Sequence, residues 1–418
     1  MGKGTGAQAG LRQRNMALVT RALAAGEKVT RAAVAAEVGL TRATVSTLVD
    51  ELMAAGLVEE QGAQRPGTVG RPGTVLALAE TGPAGIGAEI GVDHLAACAV
   101  DLRGKVRVRA QRPAANRGRP AAAVLEELAE LTAGVTAEAA KAGLHPVRTT
   151  VAVPGLIGPD RGTVLRAPNL GWEDVPLAAA FSEGAAVENE ANLGALAELW
   201  LGGHDGRLTD FVHVSAEIGI GAALVVEGRL FRGARGFAGE LGHVPVRPDG
   251  PRCSCGATGC LETYAGEEAL LRAAGVRTGR GPALKAAAVA GDPSALRALE
   301  EAGAALGIAL SGAVNLLDPQ AVVVGGPLAD LAPWLLPGVR RELAARVTDR
   351  QWRAQDVLIS RLGHDGVLRG AAYSSVRTVL DDPAAWIRTV TEGAEGAEGG
   401  GLTEPSPPPT GSTSCSSR

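Results

Sequence analysis

Several features are scarce in this 418-residue chain, and each scarcity narrows what the protein can be. Aromatic residues make up only 3% of the sequence, so its cores must be mainly aliphatic. Apolar runs such as "AVVVGG" near Val322 fall far short of the roughly 20 residues that a membrane-spanning helix needs, and the N-terminus has no apolar signal segment. Five cysteines, an odd number, argue against a disulfide framework. We therefore expect a soluble cytoplasmic protein with no membrane partner.

The net charge of −4 is unevenly distributed along the chain. Residues 1–79 contain nine Lys/Arg and six Asp/Glu, which leaves 32 Lys/Arg and 39 Asp/Glu for the rest. The N-terminal segment is thus about +3 and the remainder about −7. A small basic segment on an acidic body indicates a nucleic-acid contact confined to one end.

The two ends of the chain differ in composition from the rest. The segments 1–10, "MGKGTGAQAG", and 392–418, which contains Cys415, are rich in Gly, Ser and Pro. Such segments cannot bury enough apolar surface to fold, so we expect both to be disordered. The length between them is sufficient for two or three domains.

Residues 11–79 have the pattern of three short helices followed by a hairpin. The third helix begins at Thr41, a suitable N-cap, and its apolar face carries Val45, Leu48, Val49 and Leu52. The opposite face carries Arg42, Thr44, Ser46 and Thr47, which we predict to contact DNA. A helix, a "GL" turn, a second helix and a Gly/Pro/Arg-rich hairpin are typical of a winged helix-turn-helix.

The rest of the chain alternates short strands and helices, as in α/β proteins. The tetrapeptide "AEIG" occurs at Ala88 and again at Ala216, and each copy lies in a pattern of three strands joined by tight turns. Helical stretches follow at 121–142 and 282–316. This repetition predicts a duplicated architecture with a cleft between its halves.

Three cysteines lie close together in the run "CSCGATGC". Cys253, Cys255 and Cys260, with His243 ten residues upstream, form the ligand set of a closed tetrahedral zinc site. Such a site has no open position, so the metal would be structural. The alternatives are buried free thiols or a redox role, although a thioredoxin-like CxxC is absent.

Two carboxylates flank the cysteine run in the sequence, and a third lies farther upstream. Glu240 and Glu262 bracket the cysteines, while Glu190 lies between Asn189 and Asn192. Carboxylates and amides that converge in a cleft suit the hydroxyls of a sugar, and the alternative is that each is a solvated surface group.

The runs "GELGHV…CSCGATGCLE", "APNLGW" and "VENEAN" resemble the ROK family of repressors, open reading frames and sugar kinases, over residues 86–380. The winged helix resembles the repressor branch, which responds to sugars such as xylose, glucose or N-acetylglucosamine. The resemblance implies a two-lobed, actin-like body of the ribonuclease H-like kind. Lobe 1 would span 84–190 and be completed by a helix near 365–382, and lobe 2 would span 191–364.

The resemblance also implies ligands and partners. It gives zinc the ligands His243, Cys253, Cys255 and Cys260, and it gives a sugar the contacts Asn189, Glu190, Glu240, His243 and Glu262. It further implies operator DNA, a sugar or sugar-phosphate effector, and a homodimer or homotetramer. His243 would serve both sites, one ring nitrogen to each.

The chain departs from the pattern of ROK kinases in three places. Where the kinases resemble "DxGGT", it reads "GVDHLAAC", so His94 and Leu95 replace glycines. Glu217 stands in the second phosphate loop, and Glu190 replaces the aspartate base. Only Gly325-Gly326 retains the kinase pattern.

These departures favour a sugar-responsive DNA-binding regulator, a repressor without enzymatic activity. The alternative is an ATP-dependent sugar kinase with a fused DNA-binding domain, and control by a protein partner is a third possibility.

We call residues 11–79 the DNA module. Its predicted hairpin contains Gly70-Arg71-Pro72. The resemblance suggests that Arg71 enters the minor groove of A/T-rich DNA, whose narrow groove has an enhanced negative potential. The alternative is an ordinary hairpin turn with an exposed arginine.

Overall fold

The computed structural model describes residues 3–26, 29–64, 73–181, 184–204, 206–216, 218–349 and 352–398. The N-terminal module consists of α1 (Lys3–Ala25), β1 (Val29–Thr30), α2 (Arg31–Val38), α3 (Arg42–Ala54), β2 (Val58–Gln64) and β3 (Gly73–Leu78). The next part consists of β4 (Gly82–Ile90), β5 (His94–Val100), β6 (Val106–Pro113), α4 (Ala121–Lys141), β7 (Leu144–Val153), β8 (Leu156–Ile157), β9 (Val164–Ala167), β10 (Trp172–Val175), β11 (Ala185–Asn189) and α5 (Glu190–Leu201).

The remaining elements follow residue 205. They are β12 (Phe211–Ala216), β13 (Ile220–Val226), β14 (Arg229–Phe231), α6 (Glu262–Ala265), α7 (Glu267–Ala274), α8 (Arg280–Val289), α9 (Pro293–Leu317), β15 (Ala321–Val324), α10 (Gly326–Arg346), β16 (Val357–Ile359), α11 (Gly366–Asp381) and α12 (Pro383–Glu398). A short 3-10 helix, Leu241–His243, precedes the cysteine run.

The N-terminal module is the winged helix that the sequence predicts. Its sheet has the order β1-β3-β2, and β2 and β3 form the antiparallel wing. The hydroxyl of Thr41 accepts a hydrogen bond from Thr44 N at 3.1 Å, which caps α3. The predicted apolar face of α3 is buried, as expected.

Both ends of the described chain are more helical than expected. Helix α1 begins at Lys3, and α12 continues to Glu398, so the structure describes 3–10 and 392–398 as helical, where composition predicts disorder. Once a helix is nucleated, each further residue adds a hydrogen bond, and Ala, Gln and Glu propagate it despite the intervening glycines. Residues 399–418, with Cys415, lie outside the described residues.

Two five-stranded sheets have the same topology, which confirms the predicted duplication. The first has the order β6-β5-β4-β7-β11 and the second the order β14-β13-β12-β15-β16. In each, an antiparallel meander of three strands is followed by two parallel strands. We call the parts built on the first and second sheets lobe 1 and lobe 2. The first "AEIG" copy lies at the end of β4, and the second begins at Ala216, the last residue of β12.

The helical stretch predicted at 282–316 is two helices. Asp292 accepts hydrogen bonds from Ser294 N and Ala295 N, both at 2.9 Å, and Pro293 occupies the first turn of α9. A capping carboxylate followed by proline starts a new helix because the proline cannot supply the N–H that continuation of α8 requires.

The DNA module and lobe 1 share one hydrophobic core. Buried residues of α1 and α3 form a continuous cluster with those of β5 and α11. Helix α11 lies very close to β4, since a Cβ on Gly85 would be 1.9 Å from Ala372 O. Trp386 Nε1 donates to Ala55 O at 3.3 Å, and Arg21 pairs with Asp381 at 3.1 Å. The module is therefore joined to lobe 1 by packing as well as by the chain.

Within the described residues, no single helix is both long and apolar enough to cross a membrane. The bent pair α2 and α3, at 115°, passes that test of length and composition only when the two are taken together.

Candidate functional site

A cavity of about 270 Å³ lies between the two lobes, and we call it the inter-lobe cavity. Lobe 1 contributes the loop after β7 and the start of α5, and lobe 2 contributes the β12–β13 turn and the segment around the cysteines. All five residues predicted to contact a sugar line this cavity: Asn189, Glu190, Glu240, His243 and Glu262. The structure thus brings together groups that are up to 73 residues apart in the sequence.

Asn189 is largely occupied by the protein itself. Its Oδ1 accepts from Ala191 N at 2.8 Å and Asn192 N at 3.3 Å, which caps α5. Its Nδ2 donates to Gly155 O at 2.9 Å, which ties α5 to the loop after β7. Asn189 therefore holds two walls of the cavity in place, with one N–H left to donate to a ligand.

The carboxylate of Glu190 stands in the first turn of α5, where the helix dipole favours a negative charge. Asn192, expected beside it, turns the other way: its Nδ2 donates to Glu188 at 2.9 Å, and both groups are buried. The cavity therefore contains Asn189 and Glu190 but not the second amide.

The four predicted metal ligands cluster at one end of the inter-lobe cavity. The ligand atoms of His243, Cys253, Cys255 and Cys260 all lie within 4.8 Å of one another. Cys253 Sγ is 3.6 Å from His243 Nδ1, and Cys255 Sγ is 3.7 Å from Cys260 Sγ. Tetrahedral zinc, with bonds of about 2.3 Å to sulfur and about 2.0 Å to nitrogen, separates its ligands by about 3.5 to 3.8 Å. The cluster thus has the size and the donor set that a tetrahedral dication requires.

His243 joins the cluster to the cavity. Its Nδ1 faces Cys253, while its Nε2 lies 3.8 Å from Glu240 Oε2. Burial raises the pKa of Glu240, as does the nearby charge of Glu262, and His243 opposes this shift. Because the two ring nitrogens face different neighbours, a metal on Nδ1 fixes a proton on Nε2, where it can be donated.

Glu262, the first residue of α6, lies between the cluster and the β12–β13 turn. Its Oε1 accepts from Cys253 Sγ at 2.9 Å and from Ser254 Oγ at 3.3 Å. Its Oε2 would lie 2.9 Å from a Cβ on Gly219, so the absence of a side chain there gives the carboxylate its room. Burial, with the Glu262 contact, raises the pKa of Cys253 to about 12, and a bound dication would displace this proton.

A second cavity, of about 500 Å³, lies between residues of both lobes, and we call it the cleft cavity. Asp93 of lobe 1 pairs across it with Arg280 of lobe 2 at 2.8 Å. His94 Nδ1 lies 2.9 Å from Asp93 Oδ1, and its ring fills the space beside Gly91. A second pair that joins the lobes, Arg117 with Glu268 at 2.6 Å, lies outside this cavity.

In the segment that resembles the first phosphate loop of the kinases, Asp93 and His94 thus contact each other, and Asp93 also pairs with Arg280. Glu217 lies outside the described residues. Sequence reasoning missed the Asp93–Arg280 pair because 187 residues separate its members, and no local pattern connects them.

The predicted DNA-contacting face of α3 is at the surface, on the side away from the core. Arg42 and Thr47 are exposed, and Thr44 and Ser46 are half-buried. Thr44 Oγ1 lies 2.9 Å from Thr41 Oγ1, and Thr47 Oγ1 donates to Ala43 O at 3.2 Å. Both hydroxyls are therefore held by the helix, while the guanidinium of Arg42 extends from its first turn. Arg71 lies outside the described residues.

A winged helix built onto a two-lobed, actin-like body with a polar cavity between the lobes is the class that the fold and the site define. The pattern of the ROK family matches residues 85–377, and that of the MarR family matches residues 18–67. The chain belongs to the ROK family.

Three known proteins illustrate both branches of that family. A xylose repressor of Caldicellulosiruptor bescii is 30% identical over 393 residues, covering 89% of this chain and 98% of the repressor. A ROK family transcriptional regulator, a homolog of the E. coli MLC protein, has a solved structure with a TM-score of 0.74 and 25% identity, covering 90% of this chain and 99% of its own.

The third is the structure of a ROK family glucokinase from Streptomyces griseus in complex with glucose and AMPPNP. It has a TM-score of 0.62 and 29% identity, and it covers 70% of this chain and 98% of its own. The regulators therefore match the DNA module as well as the body, whereas the kinase matches the body alone.

Proposed function

We propose that this protein is a sugar-responsive transcriptional repressor of carbohydrate uptake or catabolism genes, acting in the cytoplasm. The observation that carries the proposal is the convergence of Asn189, Glu190, Glu240, His243 and Glu262 on one inter-lobe cavity in a chain with a winged helix. Similarity to a xylose repressor over 89% of the chain supports it.

The sugar is held by three carboxylates and an imidazole. Glu190, Glu240 and Glu262 accept hydrogen bonds from hydroxyls, and the pattern of these acceptors discriminates one sugar from another because epimers differ in hydroxyl direction. His243 donates from Nε2. Asn189 contributes its remaining N–H and keeps the loop after β7 in place.

The metal in this proposal is a structural zinc. His243, Cys253, Cys255 and Cys260 would hold it, and four protein ligands leave no open coordination position. When bound, zinc anchors the segment that carries Glu240 and Glu262 and fixes the orientation of the His243 ring. The protein's own residues do the rest: they bind the sugar and exclude water from the inter-lobe cavity.

Sugar binding reaches the DNA through lobe 1. The cavity has walls from both lobes, so a bound sugar favours the arrangement in which they are closed. The winged helix shares its core with lobe 1 and therefore follows that lobe. In a homodimer or homotetramer, movement of lobe 1 changes the spacing of the two α3 helices and hence their fit to operator half-sites.

Kinase activity is the alternative, and the cleft disfavours it. Asp93 and Glu89 are carboxylates beside the space for a nucleotide, and the ring of His94 occupies the turn whose backbone amides would bind phosphate. We therefore propose that the protein has no catalytic residue and that Glu190, at the position of the kinase base, contacts the sugar instead.

A gel-shift assay with the promoter next to the protein's own gene, with and without candidate sugars, tests the proposal. We expect specific binding that one sugar alters at concentrations near its Kd. Absence of specific binding, or of any sugar effect across pentoses and hexoses, would contradict the regulator function. ADP release in the presence of ATP and sugar, abolished by Glu190→Gln, would support the kinase instead.

The DNA contacts have their own test. Arg71→Ala removes the proposed minor-groove contact, and Arg42→Ala removes a cation of α3; each should weaken operator binding about tenfold and leave sugar binding unchanged. The Arg71 variant should lose preference for A/T-rich flanks, while the Arg42 variant should not. Unchanged operator affinity in the Arg71 variant would exclude the minor-groove contact.

A further inference from the structure

A third cavity, of about 580 Å³, adjoins the inter-lobe cavity, and we call it the side cavity. Six residues line both: Gly155, Leu156, Asn189, Ala222, Phe237 and Glu240. The two spaces are therefore neighbours that share part of their lining. Cavities of roughly 300 to 1,000 Å³ typically hold a small molecule larger than a monosaccharide, so a ligand in the inter-lobe cavity has room to extend.

The side cavity is rich in arginine. Arg161 lies in the turn between β8 and β9 of lobe 1, and Arg232 and Arg235 lie in the loop after β14 of lobe 2. Arg232 pairs with Glu188 Oε2 at 2.5 Å, and Arg161 approaches the same oxygen at 3.4 Å. Among the described residues, Arg235 has no ion pair within 4 Å.

The three guanidinium groups share the side cavity with two carboxylates, Glu188 and Glu240, and Glu188 has little capacity left. Oε1 of Glu188 already accepts from Asn192 Nδ2 at 2.9 Å and Asn189 N at 3.0 Å. The residue is only 1% exposed, so its charge acts mainly on its present partners. Burial opposes its ionisation, but Arg232 and these hydrogen bonds keep its pKa below the usual value.

The excess of positive charge also affects Arg161. Partial burial lowers its pKa, and the charges of Arg232 and Arg148 act in the same direction against the opposing charge of Glu188. Its backbone adopts φ 52°, in the left-handed region that non-glycine residues seldom occupy. The arginine is thus kept at this position despite an unfavourable backbone and like-charged neighbours. Such a site gains stability when an anion enters.

We propose that the effector is a sugar that carries an anionic group, a phosphate or a carboxylate, which lies in the side cavity against Arg161, Arg232 and Arg235. This inference rests on the proposed function, since the sugar ring occupies the inter-lobe cavity. Guanidinium groups bind either anion through paired N–H donors, so the two classes share one recognition chemistry.

Isothermal titration calorimetry on the full chain tests the proposal with xylose, glucose, glucose 1-phosphate, glucose 6-phosphate and glucuronate. At least one anionic probe should bind about tenfold or more tightly than its neutral parent, and raising the salt concentration should reduce this advantage. The phosphates and glucuronate distinguish the two sources of the anion.

Variants test whether the arginines cause the tighter binding of the anionic probe. In the Arg161→Ala, Arg235→Ala double variant the anionic probe should lose its advantage while the neutral sugar keeps its affinity, which also shows that the chain is folded. The single variant Arg161→Lys should keep part of the affinity advantage of the anionic probe. Arg207→Ala, at an exposed arginine of lobe 2 outside both cavities, is the matched control and should change neither affinity.

The outcomes separate this inference from the proposed function. Binding of neutral sugars with no anionic advantage, or an advantage unchanged in the double variant, would overturn the inference and leave the sugar-responsive function standing. Binding of none of the five probes to a zinc-loaded chain would count against both.

Discussion

The inter-lobe cavity and the cleft cavity lie between the same two lobes, yet their polar groups are arranged in opposite ways. In the inter-lobe cavity Glu190, Glu240 and His243 face a common space. In the cleft cavity Asp93 and Arg280 bind each other across the gap. The first arrangement leaves hydrogen-bonding capacity for a ligand, and the second uses it to join the lobes. One pair of lobes can therefore keep an open polar cavity at one place and a closed ion pair at another.

Loss of the metal should have the largest effect on the sugar response, and it should affect the inter-lobe cavity alone. Cys255→Ser removes a ligand, so we expect the zinc content to fall from about one per chain to near zero and the sugar concentration for half-response to rise by about 100-fold or more. Elemental analysis and a sugar titration of operator release measure the two quantities. Cys98→Ala, at a buried cysteine remote from the cluster, is the control. Full sugar affinity in zinc-free protein would show that the metal does not organise the inter-lobe cavity.

Next in size is the effect of neutralising Glu262. Glu262→Gln keeps the shape of the side chain but turns a charged acceptor into a neutral amide, so the Kd for the sugar should rise by about 10- to 100-fold. Calorimetry measures this change, and zinc content should stay the same because the residue is not a ligand. Glu301→Gln, on the exposed face of α9, should be without effect. Equal losses in both variants would indicate a general effect of charge.

His213, which lies between the two cavities, makes stability depend on pH. Burial lowers its pKa to about 4, and its Nδ1 has no hydrogen-bond partner among the described residues. Below about pH 6.5 the unfolded chain binds a proton that the folded chain excludes, so stability is lost as pH falls from 6.5 towards 4. Between pH 6.5 and pH 4, the free energy of unfolding of His213→Leu should fall by about 3 kcal/mol less than that of the parent chain, as measured by urea unfolding. The exposed His145→Leu should follow the parent curve, and a His213→Leu curve that also follows it would refute this role.

Breaking the pair across the cleft should have the smallest effect. Asp93 and Arg280 are partly exposed, and such pairs contribute about 0 to 1 kcal/mol. Asp93→Ala should therefore raise the Kd for sugar by no more than about fivefold, because it destabilises the closed arrangement of the lobes. Arg280→Lys, which keeps a cation beside both Asp93 and Glu267, should change the affinity less than Asp93→Ala does. If Asp93→Ala instead gains ATP-dependent phosphorylation of a sugar, the Asp93–Arg280 pair is what prevents kinase activity in the parent chain.

Much of the fold followed from local patterns. The winged helix was predictable because Thr41 caps α3 and its apolar residues recur at helical spacing, and the duplication because a similar pattern of three strands opens each half of the body. Helix boundaries were less predictable: Pro293 divides one expected helix into two, and α1 and α12 extend into glycine-containing segments. Those outcomes depend on helix propagation and capping, which composition alone does not resolve.

The sequence by itself established the types of side chain at the candidate site, because thiols, an imidazole and carboxylates lie at short spacing and suit a metal or a polar ligand. It also determined the family. Only the tertiary structure decided which groups meet: that Asn192 turns to Glu188, that Asp93 reaches Arg280, and that two arginines from different lobes pair with one buried carboxylate. These contacts join residues far apart in the chain, and their geometry is set by how the two sheets pack and face each other.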